Sequence, residues 1–76
     1  MNQDEKLQRK INSKELFAAD LSNLNLTNTD LTNAFLTGAN LTGANLSNLN
    51  LTGAILVDAK LNNAKLNNAN LNNANL

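Results

Sequence analysis

The hydrophobic positions of the chain follow a strict five-residue period, with a leucine at every fifth position from Leu16 to Leu76. On an α-helix, five residues advance the azimuth by about 140°, so these leucines would spiral around the helix and form no stripe. On a flat strand the side chains alternate, and every second leucine would point to the wrong face. The period therefore predicts a chain that bends once per repeat and coils around its leucines, as a solenoid does.

Two other columns of the repeat support this coil. The position two residues before each leucine is mostly alanine, which indicates a second inward position with little room. The position two residues after each leucine holds all three glycines of the chain, and seven of its other members are asparagine. Glycine and asparagine tolerate positive φ, as the third position of a type II turn requires. This column is therefore predicted to form the corners of the coil.

The repeat carries a family resemblance. The units at residues 39–43, Ala-Asn-Leu-Thr-Gly, and 69–73, Ala-Asn-Leu-Asn-Asn, resemble the A-(D/N)-L-x-x consensus of the pentapeptide repeat proteins, and the similarity runs from Ala19 to Leu76. The departures from the consensus are Leu24, Thr29 and Leu49 in the alanine column and Phe35, Ile55, Lys60 and Lys65 in the Asp/Asn column. The resemblance implies an all-β fold, a right-handed, four-sided β-helix with one pentapeptide per face. Residues 16–76 then make about three coils and stack residue n on residue n+20.

Residues 1–15 differ from the repeat, because seven of them are charged. Asn2 and Glu5 resemble a capping box, and Leu7 and Ile11 lie on one face of a helix. Ile11 also stands five residues before the first leucine, so the segment could instead begin a degenerate repeat, but the positions that should be small and apolar hold basic residues. We therefore expect a short helical cap at residues 1–15 that covers the open end of the coil formed by residues 16–76.

Composition excludes several classes of function. The net charge is zero, which gives no electrostatic attraction to nucleic acid or to an anionic membrane surface. The chain has no histidine or cysteine, and no serine has a plausible base beside it. We therefore expect no catalytic residue, cofactor site or metal site, and no enzymatic activity. The chain also lacks an apolar run long enough to span a membrane and an apolar leader, so the default expectation is a cytoplasmic protein.

The outward positions of the predicted coil are mostly polar, but one face carries apolar residues. Stacking residue n on n+20 places Phe35 beneath Ile55 and puts Phe17 and Val57 in the neighbouring column of the same face. Clustered apolar side chains on the surface usually mark a contact site, so this face is a candidate surface for an unknown protein partner or a dimer. The alternatives are that the N-terminal segment folds back over the face, or that these residues are simply tolerated there.

The repeat continues unaltered to Leu76, with nothing in its sequence that would close the last coil. Leu66, Leu71 and Leu76 would then point into an open end, together with unpaired backbone groups that can template pairing with another chain. This feature predicts a homodimer in which two molecules stack C-terminus to C-terminus around a two-fold axis. The alternative is that Leu76 is a truncation point and that further coils follow in the native chain.

These features favour a non-enzymatic structural or protein-interaction scaffold. The resemblance implies a rival function, since some pentapeptide repeat proteins mimic DNA, bind DNA gyrase and confer quinolone resistance. Such mimicry needs a long and strongly acidic rod, because duplex DNA carries dense negative charge. Residues 16–76 hold three acids against two lysines, which is too short and too neutral for that role. Ice binding is also disfavoured, because no sustained array of threonines forms on any face.

Overall fold

The computed structural model describes residues 2–76, and Met1 of the expected capping segment lies outside the described residues. The chain begins with one helix, α1, at Gln3–Ser13. The Asn2 side chain accepts a hydrogen bond from the Glu5 backbone N–H at 2.8 Å, which satisfies a free donor of the first turn. Lys14, at φ 64°, ends α1 in the left-handed conformation, and its N–H donates to the Ile11 carbonyl. The segment is therefore a capped helix and not a further repeat.

After α1 the chain forms a coil in which parallel β-bridges join residues that lie 20 positions apart. The Leu36 N–H donates to the Ile55 carbonyl at 2.8 Å, and the Ile55 N–H donates to the Ala34 carbonyl at 2.9 Å. The same pair of bonds recurs around the coil. The bridged pairs are Glu15–Phe35, Asp20–Asn40, Asn25–Asn45, Phe35–Ile55, Asn40–Lys60, Asn45–Lys65, Asn50–Asn70 and Ile55–Asn75.

Within residues 2–76 these contacts are isolated bridges, and no β-strand of several residues is present. The sequence predicts an all-β coil, and the structure provides its β pairing in units of one residue. The reason is the spacing of the corners. A turn occupies two positions of every pentapeptide, so only one residue on each side has both neighbours extended and can form a bridge.

The corners lie in the predicted column. In each, the N–H of the residue three positions after a leucine donates to that leucine's carbonyl, as from Ala44 to Leu41 at 3.0 Å. The third residue of the turn has positive φ, 71° at Gly43 and 61° at Asn23. Asn28 also lies at a corner, where the Thr29 N–H donates to the Leu26 carbonyl at 3.1 Å, but it is the one corner residue of the described coil that does not have positive φ. There the Thr29 hydroxyl donates to the Leu26 carbonyl at 2.7 Å and supplies a second bond to the turn.

The core is the column of leucines together with the small residues between them. The leucines from Leu16 to Leu56 are all buried, and alanines such as Ala34 and Ala44 are buried beside them. Ile11 of α1 joins the same cluster, and Leu7 packs against it. Each buried leucine contributes roughly 1.5–3 kcal/mol. Leu61, Leu66 and Leu71 are only partly buried and Leu76 is exposed, because within residues 2–76 no further turn of the coil covers them.

The bridge pattern is interrupted at one place. Within residues 2–76, Asp30 and Asn50 form no bridge with each other, and neither the Leu31 N–H nor the Asn50 N–H has a backbone partner. The interruption coincides with two departures from alanine in the inward column, Thr29 in the first turn and Leu49 directly above it. The first and second turns of the coil are therefore joined less completely on this side than elsewhere.

The corner geometry generates a test at Gly43. Replacement by valine should destabilise the protein by about 1–3 kcal/mol, because a β-branched residue is strained at positive φ. Replacement by asparagine should cost less than about 1 kcal/mol, because asparagine tolerates this conformation. A Cβ at Gly43 would meet the Asn23 side-chain oxygen, so the asparagine side chain below must rotate away. Urea unfolding followed by circular dichroism measures both changes.

Gly38 provides the matched control for this test. A Cβ added there has its nearest neighbour, the Ala18 Cα, at 4.0 Å, so Gly38→Asn avoids the clash with a neighbouring side chain that Gly43→Asn encounters. We expect Gly38→Asn to be milder than Gly43→Asn. Equal destabilisation by valine and asparagine at Gly43 would contradict the corner assignment.

Candidate interaction surfaces

The polar side chains of the coil serve its turns. Where an Asp or Asn precedes a leucine and a Ser or Thr follows it, the Asp or Asn side-chain oxygen accepts from the backbone N–H of that second residue and, in every case but Asn45 with Ser47, from its hydroxyl as well. Asn40 accepts from the Thr42 N–H at 3.1 Å and from its hydroxyl at 2.6 Å. Asp20 accepts in the same way from Ser22. These local bonds hold the turns and account for the outward Asx column.

The Ser22–Asp20 contact does not make a nucleophile. The Ser22 hydroxyl donates directly to a carboxylate, and its geometry is the same as that of the threonine–asparagine pairs, which have no basic group. Within residues 2–76, no group of three acids, histidines or cysteines is placed to hold a metal ion. A cleft of about 380 Å³ lies between α1 and Asp20 and is lined by side chains such as Lys6, Leu7 and Lys10. The described residues thus offer contact surfaces and no reactive pair.

The spacing Asx-Leu-Ser/Thr was present in the sequence and would have revealed these turn bonds. No sequence pattern indicates the ion pair between Lys14 and Asp30. The Lys14 ammonium lies 3.4 Å from Asp30 Oδ2 and donates to the Thr32 hydroxyl oxygen at 3.1 Å. It spans the side of the coil where the Asp30–Asn50 bridge is missing. Lys14 is therefore a link between the end of α1 and the first turn.

The hydrogen bonds alter the titration of two exposed carboxylates. The Ser22 hydroxyl, followed by the Ser22 N–H, lowers the pKa of Asp20 below its ordinary value. The Thr32 hydroxyl and N–H lower the pKa of Asp30 in the same way, and Lys14 adds a smaller effect. The charged form is favoured in both cases because it accepts the turn bonds.

The predicted apolar face is present and open to solvent. We call Phe17, Phe35, Ile55 and Val57 the apolar face. The rings of Phe17 and Phe35 are stacked, with centroids 5.3 Å apart and an angle of 17° between their planes. Phe17 is 58% exposed and Phe35 is 41% exposed. Ile55 is bridged to Phe35, and Ile55 and Val57 are half-buried.

Helix α1 does not cover the apolar face. Its Leu7 lines a groove with Leu24 and Leu26, and its Ile11 lines another with Thr29. These are inward positions of the first turn, so α1 lies across the end of the coil. The alternative in which the N-terminal segment folds over the apolar face is therefore wrong, since both phenylalanine rings remain exposed.

The opposite end of the coil is open. Leu66 and Leu71 are partly buried, and Leu76 is 71% exposed. Within residues 2–76, the backbone N–H groups of the last turn that point away from the coil, such as that of Leu71, have no backbone partner. The carbonyls of Ala64 and Ala69, whose counterparts one turn below accept such bonds, are also without one. This end presents an unpaired β edge around an apolar centre.

The comparisons with known proteins that return a match all point to the same family. The family description "Pentapeptide repeats" matches residues 19–56 and 54–76, with eight copies of the repeat. Comparison with curated proteins returns no match. The chain is similar to the crystal structure of HetL, a pentapeptide repeat protein involved in heterocyst differentiation regulation from the cyanobacterium Nostoc sp. strain PCC 7120. The two are 42% identical over 82% of this chain and 27% of HetL, with a TM-score of 0.56.

A second solved structure is that of the pentapeptide repeat protein Rfr23 from the cyanobacterium Cyanothece 51142. It is 36% identical over 80% of this chain and 56% of its own, with a TM-score of 0.37. The chain thus spans about a quarter of one solved protein and just over half of the other. Residues 2–76 contain no helix of the length and apolar character needed to cross a bilayer.

The two perturbed carboxylates predict a pH dependence of stability. Their folded-state pKa lies below the ordinary value, so their contribution is complete above about pH 4 and is lost as the pH falls through the folded pKa. The melting temperature should therefore fall with acidification. In the Asp20→Asn/Asp30→Asn double variant this fall should be smaller, because asparagine accepts the same turn bonds without titrating. Thermal unfolding between neutral and acidic pH measures the slope, and an unchanged slope in the double variant would refute this origin.

Proposed function

Since the chain belongs to the pentapeptide repeat family, we propose that it acts as a non-enzymatic scaffold for protein contact, with the apolar face as its lateral contact surface. The observation that carries this function is the stacked pair of Phe17 and Phe35, which stays exposed on a coil whose outward positions are mostly polar. An exposed apolar cluster is costly in water and is retained where a partner covers it.

A rigid coil suits such a role. The backbone beneath the apolar face is held by ladder bonds, and the stacked rings of Phe17 and Phe35 restrain each other, so this surface has little freedom to lose on binding. We take the finer architecture to be a right-handed, four-sided β-helix of about three coils, as the sequence predicts. The 20-residue separation of the bridged pairs supports four pentapeptides per coil, and the similarity to HetL supports the handedness.

Involvement in heterocyst differentiation regulation is a property of HetL. The present chain matches about a quarter of that protein, so the likeness supports a shared coil and leaves the partner of this chain to experiment. The DNA-mimic function receives no support from the charges, since acids and lysines nearly balance within residues 16–76.

The double variant Phe35→Lys/Ile55→Lys tests the lateral contact. It should abolish association with the partner protein while leaving the circular dichroism spectrum intact, because both side chains point outward from the coil. The matched control is Ser47→Lys/Asn67→Lys, which adds the same charge 20 residues apart on a polar face. Affinity capture with immobilised protein, quantified by mass spectrometry, compares the three proteins. Equal retention of every captured protein by the wild type and the double variant would refute the lateral contact surface.

We also propose that the open end of the coil pairs with a second copy of this chain. Two such ends, brought together around a two-fold axis, would cover the partly exposed leucines and give the unpaired N–H and C=O groups new partners. Further coils of a longer polypeptide would use the same edge. In either case the edge functions by adding another turn, and the apolar face on the side of the coil stays free.

Leu71→Glu tests this pairing, because it places a charge at the centre of the open end. Burying an unpaired charge is strongly unfavourable, so the variant of the 76-residue chain should sediment as a monomer where the wild type sediments as a dimer. Asn72→Glu introduces the same charge on the exposed exterior of the same turn and should remain dimeric. A wild-type monomer that stays folded at micromolar concentration would exclude the pairing.

A further inference from the structure

We propose that the apolar face binds a partner segment that combines an arginine with aliphatic side chains, and that Glu15 is the counter-ion of this arginine. The inference rests on the proposed lateral contact surface and specifies the chemistry of its partner. It follows from the position of the exposed rings next to a carboxylate and from the distribution of charge around the coil.

Glu15 and Phe35 are neighbours in the bridge ladder. The Phe35 N–H donates to the Lys14 carbonyl at 2.9 Å, and the Leu16 N–H donates to the Phe35 carbonyl at 2.8 Å. This register places the Glu15 and Phe35 side chains on adjacent turns, about 4.8 Å apart at the backbone. Both side chains are exposed. A guanidinium that stacks on the ring can therefore also pair with the carboxylate.

Two acidic groups border the apolar face, and the neighbouring Lys14 directs its ammonium to Asp30 and Thr32. Glu15 lies below Phe35, and Asp58 follows Val57 at the corner. Neither forms a salt bridge within residues 2–76, where the one ion pair joins Lys14 to Asp30 on another side of the coil.

The two lysines of the last turn of the coil also lie away from the apolar face. Lys60 and Lys65 are bridged to Asn40 and Asn45, in columns of other faces. An electrically neutral chain thus has one face that is both apolar and negative. Its complement is a surface that is both apolar and positive.

This charge distribution indicates which kind of partner can bind the apolar face. An anionic lipid surface would be repelled by the two carboxylates. A two-fold contact between two apolar faces would bring each molecule's acids toward those of the other, which opposes self-association there. Arginine suits the face better than lysine, because its planar group can stack on an aromatic ring and bind a carboxylate at once. Aliphatic residues of the same segment can lie over Ile55 and Val57.

The test uses fluorescein-labelled peptides that share a leucine- and valine-containing sequence and differ at two positions, which hold Arg, Lys, Gln or Glu. Fluorescence anisotropy at low salt should give the tightest Kd for the Arg peptide. We expect it to be about tenfold tighter than the Gln peptide, as a cation–π contact plus an ion pair provides. Raising the salt concentration should reduce this ratio, because the charges are exposed.

Glu15→Gln should lower the Arg preference, because it removes the ion pair and leaves the cation–π contact, and it should leave the Kd of the Gln peptide unchanged. The matched control is Asp20→Asn, which removes one carboxylate from a different face and should retain the preference. No binding of the Arg peptide to the wild type, or an equal Kd for the Arg and Gln peptides, would overturn the inference.

The double variant Phe35→Lys/Ile55→Lys separates this inference from the proposed function. If it loses all the peptides while the wild type binds the Arg and Gln peptides equally, the lateral contact surface stands and the arginine assignment is wrong. If the double variant binds the Arg peptide as tightly as the wild type, the binding lies elsewhere, and both the arginine assignment and the lateral contact surface fail.

Discussion

The structure depends on backbone hydrogen bonding between residues that lie 20 positions apart. In each pentapeptide, only one long and one small side chain point inward. The free energy gained by burying them exceeds by little the backbone entropy cost of about 1–2 kcal/mol per ordered residue. The ladder ties every turn to the next with bonds of nearly constant length, such as 2.8 Å from Leu41 to Lys60. It forms where the corners turn the chain by the same amount, so positive φ at the third turn position, which every corner residue of the coil except Asn28 has, is the constraint behind both the core and the surface.

Most of the coil could be predicted because its period leaves few solutions. Leucine at every fifth position excludes a helix and a flat strand, and the column of glycine and asparagine locates the corners. The exception at Asn28 could not be read from its own identity, since asparagine fits the column. Its neighbour Thr29 replaces an inward alanine, and the threonine hydroxyl bonds to the turn carbonyl instead. A local side-chain bond thus changed the backbone of one corner without disturbing the period.

The surfaces were less predictable than the core. Stacking by 20 residues places Phe35 under Ile55, but it does not say where a flanking helix will lie. That outcome depended on α1 having Leu7 and Ile11 as its apolar residues, which pack against the buried cluster of leucines at the start of the coil. The pair of Lys14 and Asp30 depends on how the chain leaves α1, and a one-dimensional repeat contains no information about it.

The missing bridge between Asp30 and Asn50 gives the molecule a seam. Elsewhere, parting the first turn from the second means breaking a full set of ladder bonds, but along this side the Leu31 and Asn50 N–H groups have no backbone partner to lose. Local opening follows the path of fewest bonds, so amide hydrogens beside the seam exchange with solvent before those of the opposite side. The first turn of the coil and α1, which Lys14 links through Asp30 and Thr32, then form a cooperative unit distinct from the later turns. Although the repeat is uniform in sequence, the coil thus opens first at the α1 end and along the side of Asp30 and Asn50.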